Sequence, residues 1–450
     1  MSDSKNTRLS RRTFLKGSAG AIAAALAASS LPSLAKAANI VGTQYEIPHV
    51  AEKVTLRWIE WITPEISEEK MQTVLKGFAA TDAGKNIEIE RISMPFAQIH
   101  DTVVAQHLAK KTPDILNMNG PWQVEFGDMG ILEPLDGYLA KESKDWVDAL
   151  VKGPMQPWKG KTYLVPLTSI PFLLYFNEKK LADAGFTKPP TTWAEVEAMA
   201  PKLTDPAKNT YAFASGMAAK SPYNGPEIEL FPLIYQGDDT VLKDGKPNLT
   251  SPAAVKALKW YIKLVNDLKV YAPGVTTNIE KDKLEAFGAE QTALMNSNVA
   301  HVTVLQQRNA NLKFNLAPLP SDATFGTVLT GWNTSMAAGG KDKSASWEFV
   351  RFLAGPEGNA LMTLAAKHLP GNNKADIGEM IKAEPRLQVP LDILKKGRTY
   401  MEGAAMPNQT ECARIFTEQV VEALSGKKTP EDALKFANDE WVKIFATAGM

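Results

Sequence analysis

An alternation of strand and helix patterns beyond residue 50 constrains the fold more than any other feature. Residues 54–59, 87–92 and 114–118 are β-branched or alternate between apolar and polar side chains, which predicts three strands. Helical patterns fill the two intervals, from 63 to about 80 and from 96 to about 109, with Thr63 as the expected first N-cap. This order predicts a mostly parallel sheet flanked by helices.

The same alternation returns in the rest of the chain. Strands are expected at 163–166 and 172–176, and two short ones at 292–295 and 300–305. Three further helices are expected to begin with polar N-caps, at Thr192, Ser251 and Thr429. We find no internal repeat, so the chain is predicted to be an α/β protein built from non-identical units.

Length, charge and cysteine content exclude several classes of protein. A chain of 450 residues has room for two or three domains. Basic and acidic residues number 50 each, so a general electrostatic attraction to nucleic acid is not expected. Cys412 is the one cysteine, which excludes an intrachain disulfide and a cysteine-based zinc cluster.

The first 37 residues match an export signal. Arg11 and Arg12 are followed by Thr-Phe-Leu-Lys, then by an Ala-rich apolar stretch at 17–31 and an Ala-Lys-Ala cleavage motif at 35–37. The paired arginines indicate the twin-arginine pathway. The apolar stretch is too short for the roughly 20 residues that a bilayer requires. We therefore expect a periplasmic protein that does not span the membrane once mature.

Motifs for several kinds of catalysis are absent from the sequence. It contains no G-x-S-x-G, no phosphate-binding G-x-x-x-x-G-K-[ST], no G-x-G-x-x-G and no H-E-x-x-H. His100 and His107 lie seven residues apart on a predicted helix, which favours a solvated face over a zinc pair. We expect no catalytic residue, no metal and no cofactor.

A series of short segments resembles the extracellular solute-binding proteins of ABC importers, in the branch that holds maltodextrin- and other sugar-binding members. The segments are TPDIL at 112–116, GILEPLD at 130–136, GKTYLVP at 160–166, LYFNEKKL at 174–181, PPTTW at 189–193, APLP at 317–320, TGWN at 330–333, FVRFL at 349–353 and ALSGKKTP at 423–430. The resemblance depends on the order and spacing of these segments and spans nearly all of the mature chain.

The resemblance implies a two-lobe periplasmic-binding-protein fold with a ligand cleft between the lobes, each lobe a mostly parallel sheet flanked by helices. We expect the chain to cross between lobes just after Pro166, near Leu316 and near Pro370. The N-terminal lobe would then hold 45–166 and 316–370, and the C-terminal lobe 167–315 and 371–450. Ligand would favour a closed state that a membrane permease recognises, and the protein would act as a monomer.

Ligands of open α/β sheets bind beyond the carboxyl ends of the strands, and this rule selects candidate residues. The main candidates are Glu60, Trp61, Gln98, Asn119, Trp122, Tyr235, Asn296, Trp332 and Asn333. Further candidates are Phe96, Asn117, Ser297, Gly331, Asn408 and Gln409. Aromatic rings can cover the C–H faces of a sugar, while amides and carboxylates bind its hydroxyls. Stacking is expected from Trp61 or Trp332.

Each candidate also has a structural interpretation. Glu60 either binds a pair of hydroxyls or caps the helix at Thr63, the tryptophans can belong to the core, and the asparagines can be turn residues. Residues 168–170 replace an acid that family members can carry after the first crossing, which argues against a maltodextrin-type ligand.

Two alternatives to a sugar-binding protein remain open. A non-sugar solute is the first, and acids lining the cleft would favour a polyamine whereas arginines would favour a sugar phosphate. A secreted carbohydrate-active enzyme with two carboxylates is the more remote one, because the resemblance implies a binding protein that is not an enzyme.

Overall fold

The computed structural model describes residues 53–218 and 225–450. The expected signal peptide at 1–37 lies outside the described residues. Within the described ranges, no helix combines the length and the apolar character needed to cross a bilayer.

Strands and helices alternate through the described chain. The strands are β1 (Val54–Glu60), β2 (Ile87–Ser93), β3 (Ile115–Met118), β4 (Val165–Pro166), β5 (Thr168–Asn177), β6 (Tyr211–Phe213), β7 (Leu242–Lys243), β8 (Lys246–Pro247), β9 (Thr292–Asn298), β10 (Phe314–Ala317), β11 (Thr327–Thr330), β12 (Asn333–Met336), β13 (Leu369–Pro370) and β14 (Thr399–Tyr400). The α-helices are α1 (Ile62–Ile66), α2 (Glu68–Ala79), α3 (Phe96–Leu108), α4 (Trp122–Asp128), α5 (Asp136–Leu139), α6 (Lys144–Ala149), α7 (Glu178–Asp183), α8 (Trp193–Met199), α9 (Pro226–Gln236), α10 (Pro252–Ile262), α11 (Glu280–Gly288), α12 (His301–Arg308), α13 (Lys343–Ala354), α14 (Pro356–Ala366), α15 (Gly378–Ala383), α16 (Gln388–Lys395), α17 (Gln409–Leu424) and α18 (Pro430–Thr447).

The first sheet, sheet A, has the strand order β2-β1-β3-β12-β4. The strands β2 and β3 both run parallel to β1, as the sequence predicts, whereas β12 is antiparallel to β3 and β4. Aromatic side chains join the sheet to its helices, since Phe349 on α13 lies edge-on to Trp58 of β1 with ring centroids 5.2 Å apart. Sheet A and the helices packed on it form lobe 1.

The second sheet, sheet B, is organised around the long strand β5 and forms lobe 2 with its helices. The strands β9, β10, β11 and β13 all run antiparallel to β5, whereas β6 is parallel to β9 and β14 is parallel to β11. The expectation of a mostly parallel sheet therefore holds for the first three strands of sheet A but not for sheet B. In sheet B the neighbours of β5 all run back along it, so the pairing is mostly antiparallel. The buried side chains of lobe 2 form clusters separate from the core of lobe 1.

Two local predictions differ from the structure. The expected helix at 63–80 is divided into α1 and α2 at Ser67, whose φ of 101° cannot continue a helix, and α1 begins after Trp61 rather than at Thr63. The strand expected at 300–305 is wrong, because residues 301–305 belong to helix α12, in which Val302 and Leu305 are three residues apart and bury one helical face. The N-caps at Thr192, Ser251 and Thr429 are confirmed.

The chain passes between the two sheets at three places in its described part. It leaves sheet A after Pro166, returns through Gly331 and Trp332, and pairs again with β5 at Leu369 and Pro370. Leu316, the expected second crossing, lies in β10 within sheet B, so the change of sheet falls about 15 residues later, between β11 and β12.

These crossings lie side by side, and we call residues 166–168, 331–332 and 370–371 the crossing cluster. The backbone carbonyl of Trp332 accepts hydrogen bonds from the amides of Leu167 (2.8 Å) and Thr168 (3.1 Å). The buried Asn359 side chain donates to the Leu167 carbonyl (2.9 Å) and accepts from the Asn372 amide (3.1 Å). Side-chain amides therefore satisfy backbone groups that change sheet and leave the regular ladders.

Gly331 should be essential to the packing of this cluster. A Cβ atom at position 331 would lie 2.2 Å from the carbonyl oxygen of Thr168, so Gly331→Ala should lower the free energy of unfolding by about 1–3 kcal/mol. Gly137→Ala is the matched control, because a Cβ there meets no atom within 4 Å. Urea denaturation of both variants measures the difference, and equal midpoints would contradict the packing described for Gly331.

Candidate functional site

A groove of about 750 Å³ separates lobe 1 from lobe 2. Residues at the starts of α3 and α4 line it on the side of lobe 1, including Phe96, His100 and Trp122. The opposite wall consists of residues 407–410, which lead into α17, and of the last residues of α18. The helices α3 and α4 follow the carboxyl ends of β2 and β3, which is where the open-sheet rule places a ligand.

Stacked aromatic rings form the lobe 1 wall of this groove. The rings of Phe96 and Trp122 are nearly parallel, at an interplanar angle of 14° and a centroid distance of 5.2 Å. Trp61 lies edge-on to both rings, at 5.1 Å from Phe96 and 5.5 Å from Trp122, and is itself only 3% exposed. Trp61 therefore supports the aromatic wall from within the core, and the groove is lined by the two rings that it supports.

His100 also belongs to this wall rather than to a solvated helix face. Its ring stacks on Phe126 with centroids 5.2 Å apart, and its two nitrogens lie 3.0 Å from Asp101 and 2.9 Å from Glu125. Burial disfavours the charged imidazole, but the hydrogen bonds to the two carboxylates outweigh burial and raise the pKa of His100.

An inner cavity of about 100 Å³ adjoins the groove at the level of the crossing cluster. Pro121 and Gln409 line both spaces, and residues from both lobes meet around the inner one. Its lining includes the predicted site residues Asn119, Tyr235, Gly331 and Gln409. Two acids that are not among the expected site residues, Glu227 and Glu402, also line it.

Glu402 is held by the backbone of lobe 2. Its two carboxylate oxygens accept hydrogen bonds from the amides of Val241 and Leu242, both at 3.1 Å, and the Tyr235 phenol donates a further one. Burial raises the pKa of Glu402 to about 7, although these three donors act in the opposite direction. Tyr235 in turn stacks on Tyr400 with ring centroids 4.3 Å apart.

Glu227 lies in the first turn of α9 and is almost fully buried. Its Oε1 accepts a hydrogen bond of 3.0 Å from Nε2 of Gln409, across the boundary between α9 and α17. Burial raises the pKa of Glu227 to about 8, and the bond from Gln409 opposes this shift. At neutral pH, this carboxyl group is therefore mostly protonated in the structure as it stands.

Several expected site residues make structural contacts inside the protein and do not line the groove or the inner cavity. Glu60 is completely buried and accepts hydrogen bonds from the Thr63 amide and hydroxyl, both at 2.7 Å, so it caps α1. Trp332 packs against His368 in the core, with ring centroids 4.5 Å apart. Asn117 donates to the backbone carbonyl of Asn333 (2.8 Å), and both side chains are fully buried.

The other candidates are dispersed. Gln98 lies on the exposed side of α3, and Ser297 bonds His301 inside lobe 2 at 2.7 Å. Asn296 donates to the Ile228 carbonyl at 2.7 Å and lines a separate small cavity of lobe 2. Asn408 adopts a left-handed backbone conformation and lines the outer groove at the start of α17.

Glu60 should therefore contribute to stability and not to ligand binding. Glu60→Ala removes the cap of α1 and takes away the carboxylate that the half-buried Thr63 amide and hydroxyl donate to, so the free energy of unfolding should fall by about 1–3 kcal/mol. Glu88→Ala, which removes an exposed acid on the neighbouring strand, should change it by less than about 1 kcal/mol. Chemical denaturation compares the two; an unchanged midpoint in Glu60→Ala would show that the cap is dispensable.

The stability of the protein should depend on pH through Glu227. Because the folded pKa of about 8 lies above the ordinary value of 4.5, the folded state binds more protons between these values, and stability falls as pH rises through this window. One such group contributes at most about 1.4 kcal/mol per pH unit. Glu227→Gln should gain stability relative to the wild type between pH 5 and pH 8. Parallel melting curves over this range would contradict the burial of an ionisable group here.

Comparison with known proteins places these features in one family. A model of the family described as bacterial extracellular solute-binding proteins matches residues 75–389. A Brucella abortus protein, named only as a binding protein, is 26% identical over 373 residues, which cover 81% of this chain and 87% of that protein.

Two solved structures have the same architecture. The sugar-binding protein MalE of Xanthomonas citri superposes with a TM-score of 0.73 at 20% identity, over 88% of this chain and 98% of that one. UgpB of Mycobacterium tuberculosis, solved with glycerophosphocholine, superposes with a TM-score of 0.70 at 18% identity, over 88% and 99% of the two chains. The chain therefore belongs to the bacterial extracellular solute-binding proteins and has the two-lobe fold of periplasmic binding proteins.

Proposed function

We propose that this protein is the solute-binding component of an ABC importer, which captures a mono- or oligosaccharide between its lobes and delivers it to a membrane permease. The observation that carries the proposal is the groove between the lobes, with the stacked Phe96 and Trp122 rings on one wall and the amides of Asn408 and Gln409 on the other. Flat rings cover the apolar faces of a sugar, and amide groups bond its hydroxyls.

The charges around the groove favour a hydroxylated solute over a phosphate. Glu125 and Asp128 lie at the groove, and no lysine or arginine is among its described lining residues or those of the inner cavity. A phosphate ligand is normally bound by such cations. The composition of the site therefore supports a sugar more than a sugar phosphate.

Capture would use rotation of the lobes about the crossing cluster. The proposed lobe boundaries are 53–166 with 333–368 for the N-terminal lobe, and 168–330 with 369–450 for the C-terminal lobe. Ligand contacts both lobes only when they are closed, so its binding shifts the population towards the closed state. The permease would recognise that state, and the protein itself breaks no bond in the solute.

The proposal also includes the cellular location of the protein. The twin-arginine motif at 11–12 would direct export of the chain to the periplasm, where the mature protein would act as a monomer without a cofactor or metal. A permease of the inner membrane would be its partner.

Trp122 should determine sugar affinity. Trp122→Ala removes one of the stacked rings, and loss of an aromatic contact worth about 1.4 kcal/mol weakens binding about tenfold. Trp146→Ala is the matched control, because Trp146 packs on Trp347 in lobe 1 and is not among the residues that line the groove. A thermal-shift screen of the mature protein over mono- and oligosaccharides identifies the ligand, and calorimetry then compares the variants. Equal affinity of Trp122→Ala and the wild type would refute this location of the site.

A further inference from the structure

The inner cavity has an unusual combination of charge and burial. Glu227 and Glu402 contribute two carboxyl groups to a space of about 100 Å³, and its described lining contains no lysine, arginine or histidine. Ionised carboxylates are rarely buried without a cationic partner, because transfer from water costs several kcal/mol per ion in proteins. The two carboxyl groups of the cavity would therefore be stabilised by a positive charge that its described lining does not supply.

The two acids differ in how far the protein satisfies them. Glu402 accepts hydrogen bonds at both oxygens from the backbone and a third from Tyr235. Glu227 is 9% exposed and receives one hydrogen bond, from Gln409 to Oε1. Its Oε2 has no hydrogen-bond partner among the residues that the structure describes. Glu227 therefore retains an acceptor that borders the cavity.

Aromatic rings complete the surroundings of this acceptor. Phe231 and Tyr235 lie on the same helix as Glu227, at successive positions four residues apart, and all three line the cavity together with Tyr400. The rings of Tyr235 and Tyr400 are stacked at 4.3 Å. Aromatic faces beside a carboxylate are the surroundings that bind an ammonium group, through its charge and through cation–π attraction.

We propose that the inner cavity is a subsite for a positively charged amino group of the solute, with Glu227 as its counter-ion. The inference rests on the proposed function: the hydroxylated part of the solute would lie on Phe96 and Trp122 in the outer groove, and its amino group would reach inward past Pro121 and Gln409. A space of this size suits an ammonium group better than a sugar ring. The solute class is therefore an amino sugar or another polyhydroxylated amine.

Binding of such a cation has a consequence for protons. The groups that face Glu227 are Gln409 and Cys412 on α17, Tyr235 on its own helix, and Glu402 across the cavity. None of these brings a positive charge, so the empty site favours a protonated Glu227. When an ammonium group enters, Glu227 ionises, its proton passes to the buffer, and the ammonium keeps its own protons. Roughly one proton is then released for each amine bound at pH 7.

The test compares hexosamines with their parent hexoses on the intact mature protein. Calorimetry with glucosamine, galactosamine and mannosamine, and with glucose, galactose and mannose, should give at least tenfold tighter binding for one amine than for its neutral counterpart. Titration in two buffers of different ionisation enthalpy should show proton release for the amine alone. Choline and putrescine, as a quaternary ammonium and a plain diamine without a sugar ring, test whether charge suffices; binding of either as tight as that of the hexosamine would overturn the assignment of a polyhydroxylated amine.

Glu227→Gln should abolish both the preference and the proton release. A far-UV circular dichroism spectrum like that of the wild type shows that the variant is folded. Glu418→Gln, an exposed acid paired with Arg414 on α17, should behave as the wild type does. Equal affinities for amine and hexose would overturn this inference and leave the proposed function intact. If the protein binds neither hexosamines nor hexoses, and no sugar of the wider screen binds either, both this inference and the proposed function are overturned.

Discussion

The contacts between three backbone segments in the crossing cluster determine how the rest of the structure is arranged. A chain that changes sheet must abandon its ladder hydrogen bonds, and buried backbone groups left unpaired are costly. Here Leu167 and Thr168 donate to Trp332, while Asn359 satisfies Leu167 and Asn372. Gly331 permits the close approach, because any side chain would overlap the Thr168 carbonyl. Side-chain amides thus stabilise the place where the two lobes are joined.

This cluster also explains why the site has its composition. It brings the carboxyl end of β3, with Asn119 and Trp122 beyond it, close to the start of α17 and to the first turn of α9 in the other lobe. Aromatic rings from lobe 1 and polar groups from both lobes then line the groove and the adjoining inner cavity. The buried acids Glu227 and Glu402 are maintained at a cost to stability, and that cost is understandable if a ligand supplies what the protein lacks.

The sequence predicts the parts of this structure that depend on local patterns. Strands β1, β2 and β3 and the capped helices follow from periodicity and from residues such as Thr192, because their signals lie within a few positions of one another. Sheet B could not be predicted in the same way, since the partners of β5 come from distant parts of the chain and pair antiparallel to it. The Val-Thr-Val run of helix α12 predicts a strand, because such runs are typical of strands, whereas tertiary packing determines its helical conformation.

In the candidate site, too, some residues can be predicted from local patterns and others depend on tertiary packing. The rule that ligands bind beyond strand ends selects Asn119, Trp122, Tyr235 and Gln409, which line the groove or the cavity. It also selects Trp61 and Trp332, whose burial depends on packing that no local pattern reveals. Glu402 lies in a short turn without periodicity, so no local pattern indicates it. Glu227 has a local signal, because it follows Pro226 at a helix start and lies two turns before the candidate Tyr235.

If two lobes joined at the crossing cluster close on a solute between them, a distance measured across the groove must shorten when the solute binds. Spin labels at Gln98 and Lys443, both exposed and on opposite lobes, in a Cys412→Ala background allow this distance to be followed by pulsed electron paramagnetic resonance. We expect a broad or long distance without ligand that becomes shorter and narrower when the identified solute is added. An identical distance distribution with and without saturating ligand would contradict it.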